Sequence, residues 1–257
     1  MILNVLILYF SGTGNTKTVA EEFYHALILK DYSVEVHSME EKFDPASYPY
    51  DFLIVGFPKY YEYPVLYALD YLDHNLKKRG LVIPTLAYCT QSGHSLTDFS
   101  GLERLLRKKN HRLITSKSFP YANNLLIFSM FGSTTPEILK ENKRILKSQI
   151  DPLLDGFFLG KECKERVAWS RSILYHITAV VFTKLMPIAG VKYSSSEGCI
   201  GCKICACNCP RKNIRMVQNK PVFGHKCIFC MRCINACPVN AILYKGKKIA
   251  QYLEKGE

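Results

Sequence analysis

The 257-residue sequence lacks an apolar run long enough to span a membrane. Its most membrane-like stretch, Ile173–Met186, has about fourteen residues, includes His176 and Lys184, and is followed directly by Pro187. A transmembrane helix needs about 20 predominantly apolar residues, so no transmembrane segment is predicted. Together with Glu162–Arg171, this stretch is interpreted as a helix between two domains, and attachment to a membrane surface is the alternative.

The start of the sequence does not predict a secretory leader. The sequence begins MILNVLILYFSGTG, which contains neither a basic start nor a cleavage site made of small residues. The chain has eleven cysteines, and thiols persist in a reducing compartment. These observations predict a cytoplasmic protein.

Several nucleotide-binding signatures are missing. Neither the P-loop pattern Gly-x4-Gly-Lys-Ser/Thr nor the dinucleotide fingerprint Gly-x-Gly-x-x-Gly is present. No nucleic-acid-binding motif appears, so no nucleic-acid partner is predicted. No pair of residues stands out as a catalytic acid and base, and no catalytic residue is predicted.

Cysteine, in contrast, is plentiful and regularly spaced. Eight of the eleven cysteines form two copies of Cys-x2-Cys-x2-Cys-x3-Cys-Pro, and each cysteine of the first copy recurs 28 residues later. This pattern is typical of 4Fe–4S clusters, and in two-cluster ferredoxins the fourth cysteine of each run binds the other cluster. The predicted ligands are Cys199, Cys202, Cys205 and Cys237 for one cluster and Cys227, Cys230, Cys233 and Cys209 for the other.

Zinc is the alternative metal for such cysteines. Zinc sites pair two Cys-x2-Cys hooks across a longer gap, and they need neither a third cysteine at the same spacing nor a fourth one followed by proline. The sequence therefore favours iron–sulfur clusters. Cys207 lies inside the first copy but outside the pattern, and it is interpreted as a spare thiol.

A second cofactor signal lies near the N-terminus. The apolar run Asn4–Phe10 predicts a strand buried on both faces, and apolar residues from Val19 to Leu27 recur at helical spacing. The loop between them consists of Ser11, Gly12, Thr13, Gly14, Asn15 and Thr16. Backbone N–H groups at a helix N-terminus, with hydroxyl donors beside them, favour an anion, and here we expect a phosphate monoester.

This loop resembles the phosphate loop of flavodoxins, Ser/Thr-x-Thr-Gly-x-Thr, which holds the phosphate of FMN. Strands and helices alternate along the rest of the region. They are the strands Ser33–Ser38, Phe52–Phe57, Leu81–Cys89 and Leu113–Lys117 and the helices Pro64–Leu76, Leu96–Asn110 and Pro136–Leu154. Five strands with intervening helices predict an α/β fold with a doubly wound, five-stranded parallel sheet of the flavodoxin-like kind.

The resemblance implies that two further loops hold the flavin ring, because ligands of such sheets bind at the carboxyl ends of the strands. The expected contacts are Pro58, Lys59, Tyr60 and Tyr61 after the third strand and Thr90, Gln91, Ser92 and Gly93 after the fourth. Tyr60 or Tyr61 is expected to stack on the ring, with ordinary packing as the alternative. Lys59 is either a cation that stabilises the anionic reduced ring or a solvated surface residue.

The connection between the fifth strand and the last helix is unusually apolar over residues 119–131. Because a solvated loop would carry less apolar surface, we expect it to cover the flavin or to seat the C-terminal domain. Within it, Asn123 and Asn124 either form hydrogen bonds to the ring or a substrate, or form a turn.

The complete chain resembles a fusion family in which a flavodoxin-like domain precedes a bacterial-type ferredoxin with two 4Fe–4S clusters. The resemblance implies an FMN-binding domain at 1–155, a helical linker at 156–190 and a small α+β ferredoxin domain at 191–257. It also implies electron transfer between the clusters and FMN, in a family that is widespread in anaerobes. The alternatives are a flavin-dependent reductase of a small molecule and a ferredoxin with an FMN-free docking domain.

The basic charge of the chain is concentrated at its C-terminal end. From Cys199 onward there are eleven Lys and Arg residues against Glu254 and Glu257, which accounts for +9 of the formal net charge of +12. Two oxidised clusters and an FMN phosphate would each contribute about −2, which leaves the loaded protein at roughly +6. An acidic redox partner protein fits this charge.

Overall fold

The computed structural model describes residues 2–127 and 133–252. Their contacts divide the chain into two compact units. Within the described ranges, the first unit comprises residues up to 122 together with 135–179, and the second comprises 123–134 together with 180 onward. The domain limits predicted at 155 and 190 stay a prediction.

A largely parallel sheet forms the centre of the first unit. Its strands are β1 (Asn4–Tyr9), β2 (Ser33–Ser38), β3 (Phe52–Tyr60), β4 (Tyr63–Pro64), β5 (Ile83–Gln91), β6 (His111–Pro120) and β7 (Cys163–Lys164). The parallel strands lie in the order β2-β1-β3-β5-β6-β7, and β4 folds back antiparallel on β3. The five long strands follow the 2-1-3-4-5 order of flavodoxin-like sheets, which confirms the predicted fold class.

Helices cover both faces of this sheet. They are α1 (Asn15–Ile28), α2 (Leu66–Asn75), α3 (Ser100–Lys108) and α4 (Pro136–Phe158). The helices contact one another in two pairs, α1 with α4 and α2 with α3. Because both faces are covered, the central strands contain continuous apolar runs, and residues 5–8 of β1 and 53–55 of β3 are fully buried. The first unit therefore has a core made by its own side chains.

Three strands run further than predicted. β3 continues to Tyr60 instead of ending at Phe57, β5 continues to Gln91 instead of ending at Cys89, and β6 continues to Pro120 instead of ending at Lys117. The extension of β3 pairs with β4 in a hairpin whose turn residues, Tyr61 and Glu62, have φ angles of 54° and 57°. Several residues that were predicted to lie in loops are consequently strand residues at the carboxyl edge of the sheet.

Helix α5 (Trp169–Gly190) follows β7 and has 22 residues. The helix extends beyond the apolar stretch Ile173–Met186 at both ends, because it begins at Trp169 and continues through Pro187. The predicted helical continuation through Glu162–Arg171 was wrong for residues 162–168, where β7 pairs with β6, and right for residues 169–171. Among the helices of the described residues, α5 is the one that is long and apolar enough to cross a membrane by length and composition.

The second unit is built from short elements. They are β8 (Tyr193–Ser195), α6 (Ile204–Cys207), β9 (Ile214–Val217), β10 (Lys220–Phe223), α7 (Arg232–Asn235), β11 (Ile242–Tyr244) and β12 (Lys247–Lys248). Strand β11 pairs with β8 and β12, and β9 pairs with β10, all antiparallel. This small α+β arrangement agrees with the predicted fold class.

The 28-residue repeat of the cysteines is also a repeat of the backbone. Matching positive φ angles occur at Gly201 and Phe229 (66° and 54°), at Lys203 and Met231 (66° and 59°), and at Lys212 and Asn240 (47° and 46°). Helices α6 and α7 begin directly after the second of these pairs. The two cysteine motifs are therefore carried by two loops that share one conformation.

Candidate functional sites

The predicted phosphate loop connects β1 to α1 at the carboxyl edge of the sheet. Gly14 precedes the helix with a φ of 107°, a conformation that residues with side chains rarely adopt. Its N–H donates to Ser11 Oγ over 3.1 Å and closes the turn. Because Gly14 provides no side-chain cap for α1, the helix start suits an anion in the place of a cap.

Side chains of β5 hold the end of this loop in place. Thr16 is almost fully buried, and its Oγ1 lies 2.8 Å from Thr90 Oγ1. The Tyr88 hydroxyl donates to the Thr16 carbonyl over 3.0 Å. The Tyr88 ring lies beside Gly56 of β3, its neighbour in the sheet, where an added Cβ would lie 2.0 Å from Tyr88 Cζ. The missing side chain at Gly56 therefore gives Tyr88 the room to reach the loop.

The β3–β4 hairpin carries the first group of predicted ring contacts. These are Pro58, Lys59 and Tyr60, which are half-buried, and Tyr61, which is exposed at the turn. The Lys59 ammonium donates to Ser95 Oγ over 2.6 Å and lies 3.5 Å from Glu62 Oε1. The Lys59 side chain is only 8% exposed, so it is no solvated surface lysine, and its role toward a flavin stays a prediction.

The second group of predicted ring contacts divides in two. Thr90 and Gln91 are buried strand residues, whereas Ser92 and Gly93 are exposed. The Tyr121 N–H donates to the Gln91 carbonyl over 2.7 Å, which joins the end of β5 to the segment after β6. The structure thus brings Thr16 and Thr90 together directly.

Two buried acceptors at this edge have no hydrogen-bond partner within the described residues. They are Asn15 Oδ1 and Gln91 Oε1. The Asn15 side chain is fixed in orientation because its Nδ2 donates to the Ala122 carbonyl over 2.8 Å. An unsatisfied buried acceptor costs about 1–3 kcal/mol. A bound molecule with N–H or O–H groups would remove this cost, so these residues fit a polar ligand.

The apolar connection after β6 is described in part. The Asn123 side chain accepts from the Leu125 N–H over 3.0 Å, and the Asn123 N–H donates to Thr134 Oγ1 over 2.7 Å. These contacts favour the turn interpretation of Asn123. Residues 128–132, which include Phe128 and Phe131, lie outside the described residues. The expectation that this connection covers a flavin or seats the C-terminal domain stays a prediction.

The eight patterned cysteines lie around two cavities of the second unit. One cavity is lined by Cys199, Cys202, Cys205 and Cys237. The other is lined by Cys209, Cys227, Cys230 and Cys233. Each cavity thus has three cysteines of one copy and the fourth cysteine of the other copy. Cys207 lines neither cavity and is exposed.

The two cavities have different walls. The cavity of Cys199 is aliphatic, with Ile204, Met216 and Ile242 among its lining residues, and it lies near the surface because Cys202 is exposed. The cavity of Cys227 is aromatic, and its walls include Tyr193, Phe223 and Phe229 together with Arg211 and Arg232. Solvent access and hydrogen bonding both shift the potential of an iron–sulfur cluster. The two cavities therefore offer different surroundings to a bound group.

Backbone N–H groups point at the fourth cysteine of each copy. The Asn213 N–H donates to Cys209 Sγ over 3.3 Å, and the Ala241 N–H donates to Cys237 Sγ over 3.2 Å. The two donors are 28 residues apart, like the two sulfur atoms. Hydrogen bonds of this kind stabilise a thiolate, which is the form that binds metal.

Burial opposes the thiolate form at several of these cysteines. It raises the pKa of Cys227 to about 11 and that of Cys230 to about 12, and it raises the pKa of Cys233 well above the usual range. A cluster of buried thiolates without a cation would be unstable. A cation held between these cysteines would offset the cost of their ionised form.

Glu165 carries a hydrogen-bond network at the carboxyl edge of the sheet that sequence analysis missed. Its carboxylate accepts from the Ser118 N–H over 2.7 Å, from Ser118 Oγ over 2.6 Å and from the Thr97 N–H over 3.2 Å. This network ties the residue after β7 to β6 and to the loop after β5. No spacing rule relates Glu165 to Thr97, because their proximity depends on the pairing of β7 with β6.

Comparison with known proteins gives one family match and several similar folds. Residues 222–243 match the 4Fe–4S binding domain family, and this range contains the whole second cysteine copy. No curated protein matches the chain. The strand order of the first unit and this matched domain define a flavodoxin-like α/β unit and a 4Fe–4S ferredoxin-type domain in one chain. This combination agrees with the expected pairing of a flavodoxin-like fold with a ferredoxin-type domain.

Solved structures similar to the chain include two bacterial flavodoxins. Two-electron reduced Megasphaera elsdenii flavodoxin is 17% identical with a TM-score of 0.40, over 57% of this chain and 98% of that one. Oxidised Flavodoxin 2 from Bacillus cereus is 18% identical with a TM-score of 0.41, over 59% of this chain and 98% of that one. A flavodoxin from the domain Archaea is 14% identical with a TM-score of 0.38, over 59% of this chain and 99% of that one.

Proposed function

We propose that this protein relays electrons between two 4Fe–4S clusters and FMN. The observation that carries the proposal is the pair of cavities in which each set of three cysteines is completed by the fourth cysteine of the other copy. This crossed arrangement is the ligand pattern of two-cluster ferredoxins. The chain would then act as an electron carrier for other redox proteins.

The cysteine geometry suits a cube better than a single ion. A zinc ion needs four ligand atoms at about 2.0–2.3 Å from one centre. Within residues 2–127 and 133–252, no three His, Cys, Asp or Glu side chains are close enough together to hold one metal ion. In a cube the four sulfur ligands bind four different irons and lie further apart. The aliphatic and aromatic walls would shield each cluster from water.

The sheet edge suits FMN for three reasons. First, Gly14 gives the start of α1 no side-chain cap. Second, the Thr16 and Thr90 hydroxyls lie together. Third, two acceptors are buried without partners among the described residues, namely Asn15 Oδ1 and Gln91 Oε1. Thr13 and Thr16 would donate to the phosphate, and the N-terminal N–H groups of α1 would favour its charge. Tyr88 would keep the loop in position through its bond to the Thr16 carbonyl.

The two kinds of cofactor complement each other in electron count. A bound flavin takes up one or two electrons, whereas each cube passes one at a time. The cysteines bind the irons, and the Asn213 and Ala241 N–H groups stabilise the sulfur charge. The partner we propose is an acidic redox protein of the cytoplasm, because the cysteine-containing region is strongly basic.

Cofactor content after anaerobic purification tests the proposal. We expect about eight irons and eight acid-labile sulfides per chain, with visible absorbance that bleaches on reduction. We also expect bound FMN, which should bind more tightly than riboflavin because the loop recognises the phosphate. Stoichiometric zinc without sulfide would contradict the cluster assignment. Equal affinity for FMN and riboflavin would contradict the assignment of the phosphate loop.

A further inference from the structure

Helix α5 is apolar on two opposite faces. Its inner face contains Ala179 and Met186, which are buried. Its outer face is a stripe at three- and four-residue spacing whose side chains are 46–59% exposed: Ile173, Ile177, Val181, Leu185 and Ile188. A helix that is hydrophobic all round is normally buried or in contact with lipid. Here the protein covers only one of the two apolar faces.

The first turns of α5 are attached to the α/β unit. Ser172 Oγ donates to Asp98 Oδ2 over 2.6 Å, and the His176 ring packs edge-on against the Tyr63 ring at 5.4 Å. Both partners are buried in that unit. The remaining residues, 177–190, would extend about 21 Å as a helix. A bilayer core is about 30 Å thick, so α5 does not span a membrane while these contacts persist.

The charges around the stripe have one sign. Between Glu165 and Glu197 the sequence contains no acidic residue, but it contains Arg166, Arg171, Lys184 and Lys192. Trp169, the single tryptophan of the chain, opens the helix and is 77% exposed. Basic residues attract anionic headgroups, and tryptophan favours the membrane–water interface. An apolar protein surface would match the stripe but would not account for the missing acidic residues.

We propose that the outer face of α5 binds the surface of an anionic lipid bilayer, with the helix lying in the plane of the interface. The apolar stripe would enter the headgroup region, and the flanking basic residues would contact lipid phosphates. The attachment would be peripheral and reversible, and it would weaken as salt screens the charges. It is independent of which cofactors the protein carries.

Vesicle binding by the purified holoprotein tests this proposal. We expect co-sedimentation with phosphatidylcholine vesicles that contain phosphatidylglycerol, much weaker binding to phosphatidylcholine alone, and a blue shift of Trp169 emission on binding. Val181→Asp places a charge in the stripe and should lower the partition coefficient at least tenfold, on the order of the cost of an acidic residue in lipid. Lys184→Glu should lower it about tenfold, and only at low salt.

The control is Leu81→Asp, which changes an apolar residue of the α/β unit that is 81% exposed, against 46% for Val181. It should bind vesicles like the wild type, and circular dichroism and cofactor content should be unchanged in all three variants. If Val181→Asp fails to fold, Ile177→Ser with Lys184→Glu replaces it. Equal binding of Val181→Asp and Leu81→Asp would overturn the proposal. So would a wild-type dimer that does not bind vesicles and that Val181→Asp converts to a monomer, because a second copy would then cover the stripe.

Discussion

The two ends of the chain differ in charge and in what holds them together. Residues 1–165 contain 19 basic and 19 acidic residues, whereas residues 166–257 contain 15 basic and 3 acidic ones. The first of these, the balanced region, folds around long strands with fully buried centres. The second, the basic region, has strands of two to four residues and, apart from α5, one-turn helices. A small core with repelling charges needs another source of stability. Metal–thiolate bonds can supply it.

Removal of metal should give the largest effect. A chelator under anaerobic reducing conditions should unfold the cysteine-containing region and leave the parallel sheet folded, because the first has few buried apolar side chains and the second has many. Hydrogen exchange followed by peptide mass spectrometry measures this directly. Unchanged protection around Cys199–Cys237 after loss of all iron would show that this region has a sufficient core of its own.

Replacement of one cysteine should separate the two cavities. Cys237→Ser should damage the cluster of Cys199, Cys202 and Cys205, although Cys237 lies closer in sequence to Cys233. The matched control is Cys207→Ser, which changes an exposed cysteine outside both cavities and should leave two clusters. Electron paramagnetic resonance of the reduced protein distinguishes the two signals. Loss of the Cys227 cluster instead would disprove the crossed ligand assignment.

Sequence patterns predicted most of the fold because its signals are local. A buried strand is recognisable from a run such as 4–10, and a cysteine loop from its spacing. The hairpin at Tyr61 and Glu62 escaped prediction because neither residue type is usual at positive φ. The Glu165 network and the Tyr88–Thr16 contact escaped it as well, because they depend on which strands become neighbours.

Removal of hydroxyl groups from the phosphate loop should weaken FMN binding and leave the cysteine-containing region unchanged. Thr13→Ala with Thr16→Val should lower FMN affinity by a few kcal/mol in total, since a hydrogen bond to a charged group is worth about 1.5–3 kcal/mol. Riboflavin lacks the phosphate and should bind the variant and the wild type alike. Titration calorimetry with both flavins measures the difference. An equal loss for both flavins would indicate damage to the loop rather than lost phosphate contacts.

A methyl group at Gly56 should act on the same loop through Tyr88. Gly56→Ala places a Cβ against the Tyr88 ring, so the ring must move and the sheet must adjust, at a cost of about 1–3 kcal/mol. Gly80→Ala is the control, because an added Cβ there meets no atom within 4 Å. The free energy of unfolding, measured by chemical denaturation, and the affinity for FMN should both fall for Gly56→Ala only. Equal stability of the two variants would mean that Tyr88 adjusts without cost.

The smallest predicted effect concerns the response of the balanced region to acid. His111 is buried, and this burial lowers its pKa to about 4, with the nearby Arg79 cation acting in the same direction. Its ring contacts the Tyr50 hydroxyl through Nε2 over 2.9 Å and the Lys109 carbonyl through Nδ1 over 2.9 Å. The neutral ring satisfies both contacts if Nδ1–H donates and Nε2 accepts, whereas in the protonated ring both nitrogens donate and the Tyr50 hydroxyl must accept instead.

Because the unfolded chain takes up this proton near pH 6.5 and the folded chain does not, stability must fall as pH falls from 6.5 toward about 4. The loss of unfolding free energy for this residue should be about 1 kcal/mol between pH 6.5 and 5.5.

Denaturant unfolding of the sheet unit at several pH values, with hydrogen exchange of β6 as the probe, measures the slope of the unfolding free energy against pH. In His111→Gln this contribution should vanish, and the slope should become shallower than in the wild type. Replacement of the exposed His94 by Gln is the control for the removal of a histidine from the same unit. Identical slopes for the wild type and His111→Gln would show that His111 is protonated in the folded protein as readily as in the unfolded chain.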